Sequence, residues 1–386
     1  MPPEGFDQQR ERAQDEMYRR WLPALAHDPA YNRNLSLQST EFAVETDTRL
    51  NWDPLPWRPL PVVLAVNADT FGCGHYRIIH PGQAMANAGL ADVRVSEYHY
   101  GPVEMERLRP DTWVLQRLVG DVPFETVRRT APFTQAFKVA ELDDYLLNLP
   151  MKNGHRGQLP QDMQRVLKRW LDLADRLVVS TPPLAEAMAK LHRDIRVVHN
   201  RLPPERWGHL SSLRRQGQRP RVGWAGGSSH QGDLELIADV LKALAGEVEW
   251  VFLGMCPAPM RPYLHEHHTP VNIASYPQKL ASLNLDLAVA PLEHNLFNDC
   301  KSNLKLLEYG ACGYPVVCSD VTPYQGNLPV TRVKNRYKDW VDAIRMHLAD
   351  LDATAAAGDA LRDAIRRDWM LEGPHLSDWL HAWLPG

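Results

Sequence analysis

Apolar positions along the chain fall into two series of short runs, each run followed by a stretch of helical period. From Pro61 onward the runs Val62–Val66, Val93–Ser96, Thr112–Gln116, Phe137–Leu142, Leu177–Val179 and Ile195–His199 have the length and composition of buried strands. Helical stretches around Val103–Leu108, Phe124–Thr130, Gln161–Leu173 and Leu184–Leu191 separate them, and a loop over Asn67–Arg77 leads to a helix ending at Ala88. Strand and helix alternating in this way predict a parallel sheet wrapped on both faces. The alternation stops at 200–220, where three prolines and basic residues predict a linker, and then restarts. Arg221–Trp224, Val248–Leu253, Leu287–Ala290, Pro315–Cys318 and Val330–Val333 are the strands of a second series, with a helix over Asp233–Leu244.

The ends of the chain read differently. Residues 8–22 form a charged helix with Ala13, Met17 and Trp21 as a thin stripe, and Pro23 marks its end. Residues 28–61 lack a period and predict an extended strap in which Trp52 and Trp57 favour burial. Lys338–Leu351, Ala355–Trp369 and His375–Trp383 are amphipathic helices. The expected organisation is an extension over 1–60, a first doubly wound domain over 61–200, a linker over 201–217, a second domain over 218–350 and helices over 351–386. Two Rossmann-like α/β domains then face each other across a cleft, and such sheets bind ligands beyond the carboxyl ends of their strands.

Composition narrows the function. With 386 residues the chain is long enough for two cores. Its 43 Lys+Arg against 47 Asp+Glu leave no charge excess for nucleic acid or an anionic membrane. The five cysteines include no CxxC pair, so they predict neither a zinc site nor a disulfide framework, and they suit a reducing cytosol. A polar N-terminus and the lack of a spanning apolar run predict a cytoplasmic protein.

The most informative stretch is Asn298–Asp320, NDCKSNLKLLEYGACGYPVVCSD. Ser302 is placed to cap a helix whose core stripe is Leu304, Leu307 and Ala311. Gly313 ends the helix, and Val316-Val317-Cys318 forms a strand. Lys301, Lys305 and Glu308 lie off the stripe. A helix N-terminus beside a lysine suits phosphate, and a carboxylate further along suits a sugar diol. Packed as an ordinary surface helix, the same residues would be a solvated Glu and Lys.

Taken whole, KSNLKLLEYGACGYPVV resembles the nucleotide-binding motif of the family-4-type retaining glycosyltransferases, which have the GT-B fold. In that family a Glu-x7-Glu pattern brackets this segment. The resemblance implies that Glu308, at the second Glu, grips the donor ribose, and that Lys301, Ser302, Asn303 and Leu304 meet the diphosphate. Cys300 stands at the first Glu, so the family's contact to the donor sugar does not carry over. Gly72-Cys73-Gly74-His75-Tyr76-Arg77 is similar to the first loop of bacterial polysaccharide and O-antigen members, which lines the cleft on the acceptor side. The absence of a third spaced glycine counts against a nicotinamide enzyme.

Gly226-Gly227-Ser228-Ser229-His230 opens the second series with small residues whose N–H groups suit a diphosphate. Where the family places an Arg and a Lys, this loop has neither, and Ser228, Ser229 and a positive His230 are the expected substitutes. An ordinary Gly-rich strand-to-helix turn would look the same. Asp143 and Asp144 close the Phe137 strand, where family members place a His. One of them is expected to orient the acceptor hydroxyl and take its proton late, the alternative being a turn cap. Asp350-Leu351-Asp352 lies between helices and is discounted as a metal site, and His265, His267 and His268 are expected in a polar loop. No metal and no cofactor are expected.

The resulting expectation is a glycosyltransferase of hexosyltransferase type acting in polysaccharide biosynthesis. It would take a UDP- or GDP-linked sugar and a hydroxyl acceptor: a glycan, a lipid-linked glycan, a protein or a modified base. Peripheral membrane contact stays open. A sugar-nucleotide epimerase on the same fold and a non-catalytic sugar-nucleotide binder are the rival readings.

Overall fold

The computed structural model describes residues 6–37, 42–51 and 57–386, so Trp52 lies outside the described residues. The first sheet is built from β1 (Val62–Val66), β2 (Asp92–Ser96), β3 (Thr112–Gln116), β4 (Phe137–Leu142), β5 (Arg176–Val179) and β6 (Ile195–Val197). All neighbours pair in parallel, in the order β2-β1-β3-β4-β5-β6. β1 and β3 are buried at every position, which is why β1 and the Trp113–Leu115 centre of β3 read as apolar runs with no alternation.

The second sheet comprises β7 (Arg221–Gly226), β8 (Glu249–Gly254), β9 (Glu266–His268), β10 (Leu287–Ala290), β11 (Val316–Ser319) and β12 (Thr331–Val333), again all parallel, in the order β12-β11-β10-β7-β8-β9. In each sheet the chain winds outward from its first strand and then reverses. The crevices therefore open between β1 and β3 in one lobe and between β7 and β10 in the other.

The histidine-rich segment is not a loop. Glu266–His268 is an edge strand, where one side faces water and polar residues are tolerated. His267 Nε2 meets Gly254 O at 2.9 Å, and Glu266 is held by the Arg221 guanidinium at 2.8 Å. Pro23 likewise does not end the first helix, which spans Phe6–Ala26. Packing overrides the lost backbone bond there: Leu22 and Ala26 are buried, and Arg107 Nε donates to the Ala26 carbonyl at 3.0 Å. Trp57 stands 62% exposed instead of buried. The strap is anchored by the buried Leu50 and by Arg49, whose guanidinium bonds the Val95 carbonyl.

The segment between the lobes is packed. Trp207, at the end of a turn of helix over Pro204–Trp207, is buried with Leu202 and Leu210 in the second lobe's core. The chain crosses between lobes a second time near residue 370. There Leu202 N donates to Trp369 O at 3.0 Å and Leu371 N to Leu202 O at 2.8 Å. The helix Leu351–Asp368 packs on the second lobe, whereas Pro374–Trp383 returns to the first, burying Trp379 and Trp383 against Val63, Ala65 and Met85. Among the described residues no helix is long and apolar enough to cross a membrane.

Candidate functional site

At the carboxyl end of β7 the backbone turns sharply through Gly226 and Gly227 into a short 3-10 turn, Ser228–His230. Gly226 is required by contact: a Cβ there would sit 2.6 Å from the Trp224 ring and 3.1 Å from Lys305 Nζ. Gly254, at φ +98°, lets β8 pass beneath, so that Met255 N reaches Gly226 O at 3.0 Å. The Gly227 face is open, with no atom within 4 Å of the place a Cβ would take.

Lys305 comes to this turn from the helix Leu304–Ala311. Its ammonium donates to Ala225 O at 2.6 Å and lies 4.9 Å from the Trp224 ring centroid. Burial brings its pKa down to about 8, with Glu308 opposing and Lys301 adding to the fall. In the sequence Lys305 reads only as supplementary charge; its place over the glycine turn comes from the fold.

The helix carrying Glu308 is buried more completely than its stripe predicts, since Leu306 and Tyr309 are enclosed along with Leu307 and Ala311. Its N-cap is Asn303, and Ser302 does not cap it. Ser302 Oγ instead accepts from Asn200 Nδ2 at 3.0 Å, a bond from the first crossover. Glu308 is not solvated: it accepts from Tyr76 Oη at 2.8 Å and from Tyr276 Oη at 3.1 Å. Burial raises its pKa, while the two tyrosines and Lys305 pull it down. Tyr276 carries no signal in the sequence as a partner for Glu308.

His230 cannot supply the expected positive charge. Burial, with Lys301 and Lys305 close by, brings its pKa down to about 3, so the ring is neutral near pH 7. Its Nδ1 lies 2.7 Å from Asp233 Oδ2, and Asp233 Oδ1 accepts from Glu293 N at 2.8 Å and Asn298 Nδ2 at 3.1 Å. Those bonds fix the ring, and burial keeps it neutral against the pull of Asp233 toward the charged form.

Across the cleft the GxGHYR segment does less at the surface than expected. Helix begins already at Gly72, and His75–Ile79 is a π-turn within it. Gly74 is needed because a Cβ would collide with Asp69 O, whose own carboxylate accepts from Phe71 N at 2.8 Å and Gly74 N at 3.1 Å. Arg77 does not reach the cleft. It is fully buried, paired with Glu141, donating to Asn200 Oδ1 at 3.0 Å and stacked 4.5 Å over Trp379. His75 faces inward to His80 at 3.2 Å, leaving Tyr76 as the side chain that spans the lobes.

The acids at the end of β4 divide. Glu141 points inward to Arg77, not to the cleft edge, and burial lifts it to about 7 despite that partner. Asp143 lies 3.9 Å from Arg117 Nε, and Ser180 Oγ donates to its carbonyl at 2.8 Å. Asp144 is raised to about 6 by burial and by Asp143, with Lys301 and Arg117 opposing. Arg117, unnoticed in the sequence, holds φ +43° and also pairs with Asp69. The loop after β4 then crosses to the other lobe, where Lys152 pairs with Glu235 and Gly154 lies against Ser228.

Cys300 is buried with Phe297 in the first lobe's apolar cluster, and its carbonyl accepts from Thr181 Oγ1 at 2.7 Å. Lys301 Nζ sits 4.8 Å over the Phe297 ring. Asp350 is a helix cap, accepting from Asp352 N at 3.1 Å and Ala353 N at 2.9 Å.

No protein-family model and no curated relative matches the chain. Solved structures do. Sucrose-phosphate synthase from Thermosynechococcus elongatus aligns with TM-score 0.59 at 14% identity over 83% of this chain and 98% of that one. Anabaena HepE in complex with UDP-glucose aligns with TM-score 0.56 at 11% identity over 83% and 98%. TarM aligns with TM-score 0.53 at 15% identity over 73% of this chain, a match spanning 57% of TarM. With its two parallel six-stranded sheets and its likeness to these structures, the chain has the GT-B fold.

Proposed function

We propose that the protein transfers a sugar from a nucleoside diphosphate donor to a hydroxyl acceptor, with retention and without a metal ion. The observation that carries this reading is the convergence of two distant segments. The open glycine turn after β7 and the Lys301–Glu308 stretch meet at Lys305, whose ammonium lies 2.6 Å from Ala225 O. An open row of small residues beside a buried cation is a place for a diphosphate, and Glu308 lies one helical turn further along the helix that carries the cation, where it would serve the ribose. Ser228, Ser229 and Asn303 then offer N–H or hydroxyl groups, whereas the neutral His230 ring, its Nδ1–H spent on Asp233, keeps only the acceptor Nε2 and gives a diphosphate no side-chain donor.

In this reading the first lobe presents the acceptor. Asp143 and Asp144 stand at the end of β4, next to Arg117, with Lys301 acting on Asp144 from the second lobe. Cationic groups at the diphosphate stabilise charge developing on the leaving group. The loop carrying Lys152 and Gly154 closes over the glycine turn and excludes water, favouring transfer over hydrolysis. The HepE structure similar to this chain holds UDP-glucose, which makes a uridine donor the first to test.

One observation favours a second reading. Cys300, at the position where the resemblance places a donor-contacting carboxylate, is wholly buried in the first lobe's apolar cluster. A sugar-nucleotide binder without catalysis would tolerate that. Incubation with a panel of UDP- and GDP-sugars and hydroxyl acceptors separates the two: free nucleoside diphosphate with a glycosylated acceptor establishes transfer, and saturable binding without turnover establishes the binder.

A further inference from the structure

Behind the Lys301–Asn303 loop a cleft of about 550 Å³ opens between the lobes, and none of the glycine-turn residues lines it. Thr181 and His199 line it from the first lobe, Asp299 and Lys301 from the second, the turn at 322–328 closes one side, and Trp369 lies at the crossover. Its volume falls in the range of about 300–1,000 Å³ typical of small-ligand sites.

The lining has a definite chemistry. Trp369, half-buried, presents a ring that His199 approaches at 6.0 Å between centroids. Arg201 lies 5.3 Å over the same indole. Asn303, Gln325 and Asn327 contribute amides, each both donor and acceptor. Among the lining residues Lys301 and Arg367 stand against Asp299 and Asp368, with Arg367 and Asp368 paired at 2.7 Å, and Arg201 over the indole leaves a single positive charge in excess. Burial and Arg201 lower the pKa of His199 and favour its neutral ring. A ligand carrying several phosphate charges would find only that one cation in excess here. A pyranose fits better, with C–H faces for the indole and a rim of hydroxyls that both donate and accept.

We propose that this cleft binds a neutral oligosaccharide, the chain of a glycan acceptor. Its location supports that role. Thr181 follows Ser180, whose hydroxyl holds the Asp143 carbonyl at 2.8 Å, and Lys301 belongs both to the cleft wall and to the surroundings of Asp144. A glycan lying in the cleft therefore ends near the paired acids. The acceptor role rests on the transferase reading; the binding site itself does not.

The test is binding in the absence of any donor. Maltotriose, chitotriose and an α-mannotriose are titrated against the full chain by calorimetry or ligand-observed NMR, with trigalacturonate as the charged counterpart. UDP and GDP affinities are measured in parallel. At least one neutral trisaccharide saturates, and the charged one binds about tenfold more weakly or worse. Trp369→Ala and Asn327→Trp each weaken the neutral ligand about tenfold, while nucleotide affinity holds. Asn327 is exposed on its turn, so the second variant fills the mouth without touching the core. Failure of every neutral trisaccharide to saturate, preference for the charged one, or undiminished binding in both variants overturns the site. Glycan binding without any nucleotide binding removes the transferase reading and leaves the site standing. Nucleotide binding without glycan binding does the reverse.

Discussion

Tyr76 Oη donates to Glu308 Oε1 at 2.8 Å from the opposite lobe, while Tyr276 Oη holds Oε2 at 3.1 Å from the same one. The carboxylate that the family resemblance assigns to the donor ribose is thus already engaged on both oxygens. Each oxygen has a second lone pair, so a diol can join these bonds or replace them. Where it replaces the first, nucleotide binding releases one of the ties between the lobes. The two hydroxyls are enclosed, and burial raises both phenols far from ionisation, so they act as donors at any working pH.

Replacing Glu308 should therefore have two separable effects. Glu308→Gln keeps an acceptor oxygen for one tyrosine and loses the charge, which should weaken nucleotide binding by about 1.5–3 kcal/mol. Glu308→Ala strands both buried hydroxyls and should also cost about 1–3 kcal/mol of stability. From the sequence alone a solvated Glu308 would be replaceable without loss of fold; the buried tyrosines change that expectation. Calorimetry with UDP or GDP and thermal unfolding of both variants decide it, and an Ala variant as stable as the wild type would mean the tyrosines find other acceptors.

Arg77 carries a purely structural prediction. It joins Glu141, the Asn200 side chain at the crossover and the Trp379 ring in a buried cluster. Arg77→Met leaves Glu141 buried without its partner and should destabilise the fold by about 3–5 kcal/mol. Glu141, already lifted to about 7, should then take up a proton. Denaturant unfolding measures the loss, and Arg77→Met/Glu141→Gln should recover part of it.

The two lysines divide differently from their order in the sequence. Lys305→Met should weaken UDP far more than UMP, because its ammonium lies over the glycine turn. A desolvated charge-assisted contact contributes about 1.5–3 kcal/mol. Lys301→Ala should show the same selectivity with a smaller loss. Should Lys301→Ala prove the more damaging of the two, the diphosphate lies closer to the 301–303 loop than to the turn.

Activity should persist in excess chelator. In Asp350-Leu351-Asp352, the one DxD spacing weighed as a metal site, the Asp350 carboxylate caps a helix and the Asp352 carboxylate pairs with Arg215. Loss of turnover in EDTA with rescue by magnesium or manganese would place a metal in the reaction.

Much of the frame is legible in the amino-acid pattern. Strands buried on both faces are apolar through their centres, so β1, β3, β7, β8 and β10 announce themselves, with polar residues such as Arg221, Glu249 and Gln116 confined to their ends. The edge strand Glu266–His268 does not, because half its surface is wet and its polar pattern matches a loop. Arg77 is misplaced for a related reason. Charged residues in a glycine-bearing segment read as surface, and only the fold supplies Glu141 and Trp379 to enclose one. The neutral state of His230 comes from burial first and then from Lys301 and Lys305, some seventy residues on, and the Tyr76 and Tyr276 contacts to Glu308 likewise span long separations that no local pattern encodes.

The paired acids give the sharpest prediction, because stability and turnover should respond to one titration in opposite directions. Asp144 has its pKa raised from an ordinary aspartate value to about 6, by burial first and by Asp143 second. Below the unfolded value of about 4 both states hold the proton and nothing is lost. Between about 4 and 6 the unfolded chain ionises while the folded one retains its proton, so stability falls as pH rises; above about 6 the penalty is constant. Asp144→Asn removes that penalty. Its stability relative to wild type should therefore climb between pH about 4 and 6 and level off above, by no more than about 3 kcal/mol and less where solvent screens the carboxylate. Turnover should move the other way. An Asp144 that accepts the acceptor's proton must be ionised, so wild-type activity should fall on the acid side with a midpoint near 6. Asp144→Asn should lower turnover by about 10²–10⁴ and abolish that limb, with nucleotide affinity nearly unchanged. Asp143→Asn removes the repulsion and should shift the limb to lower pH without abolishing it. An unshifted limb in both variants, with full turnover, would reduce the pair to a cap on the turn after β4.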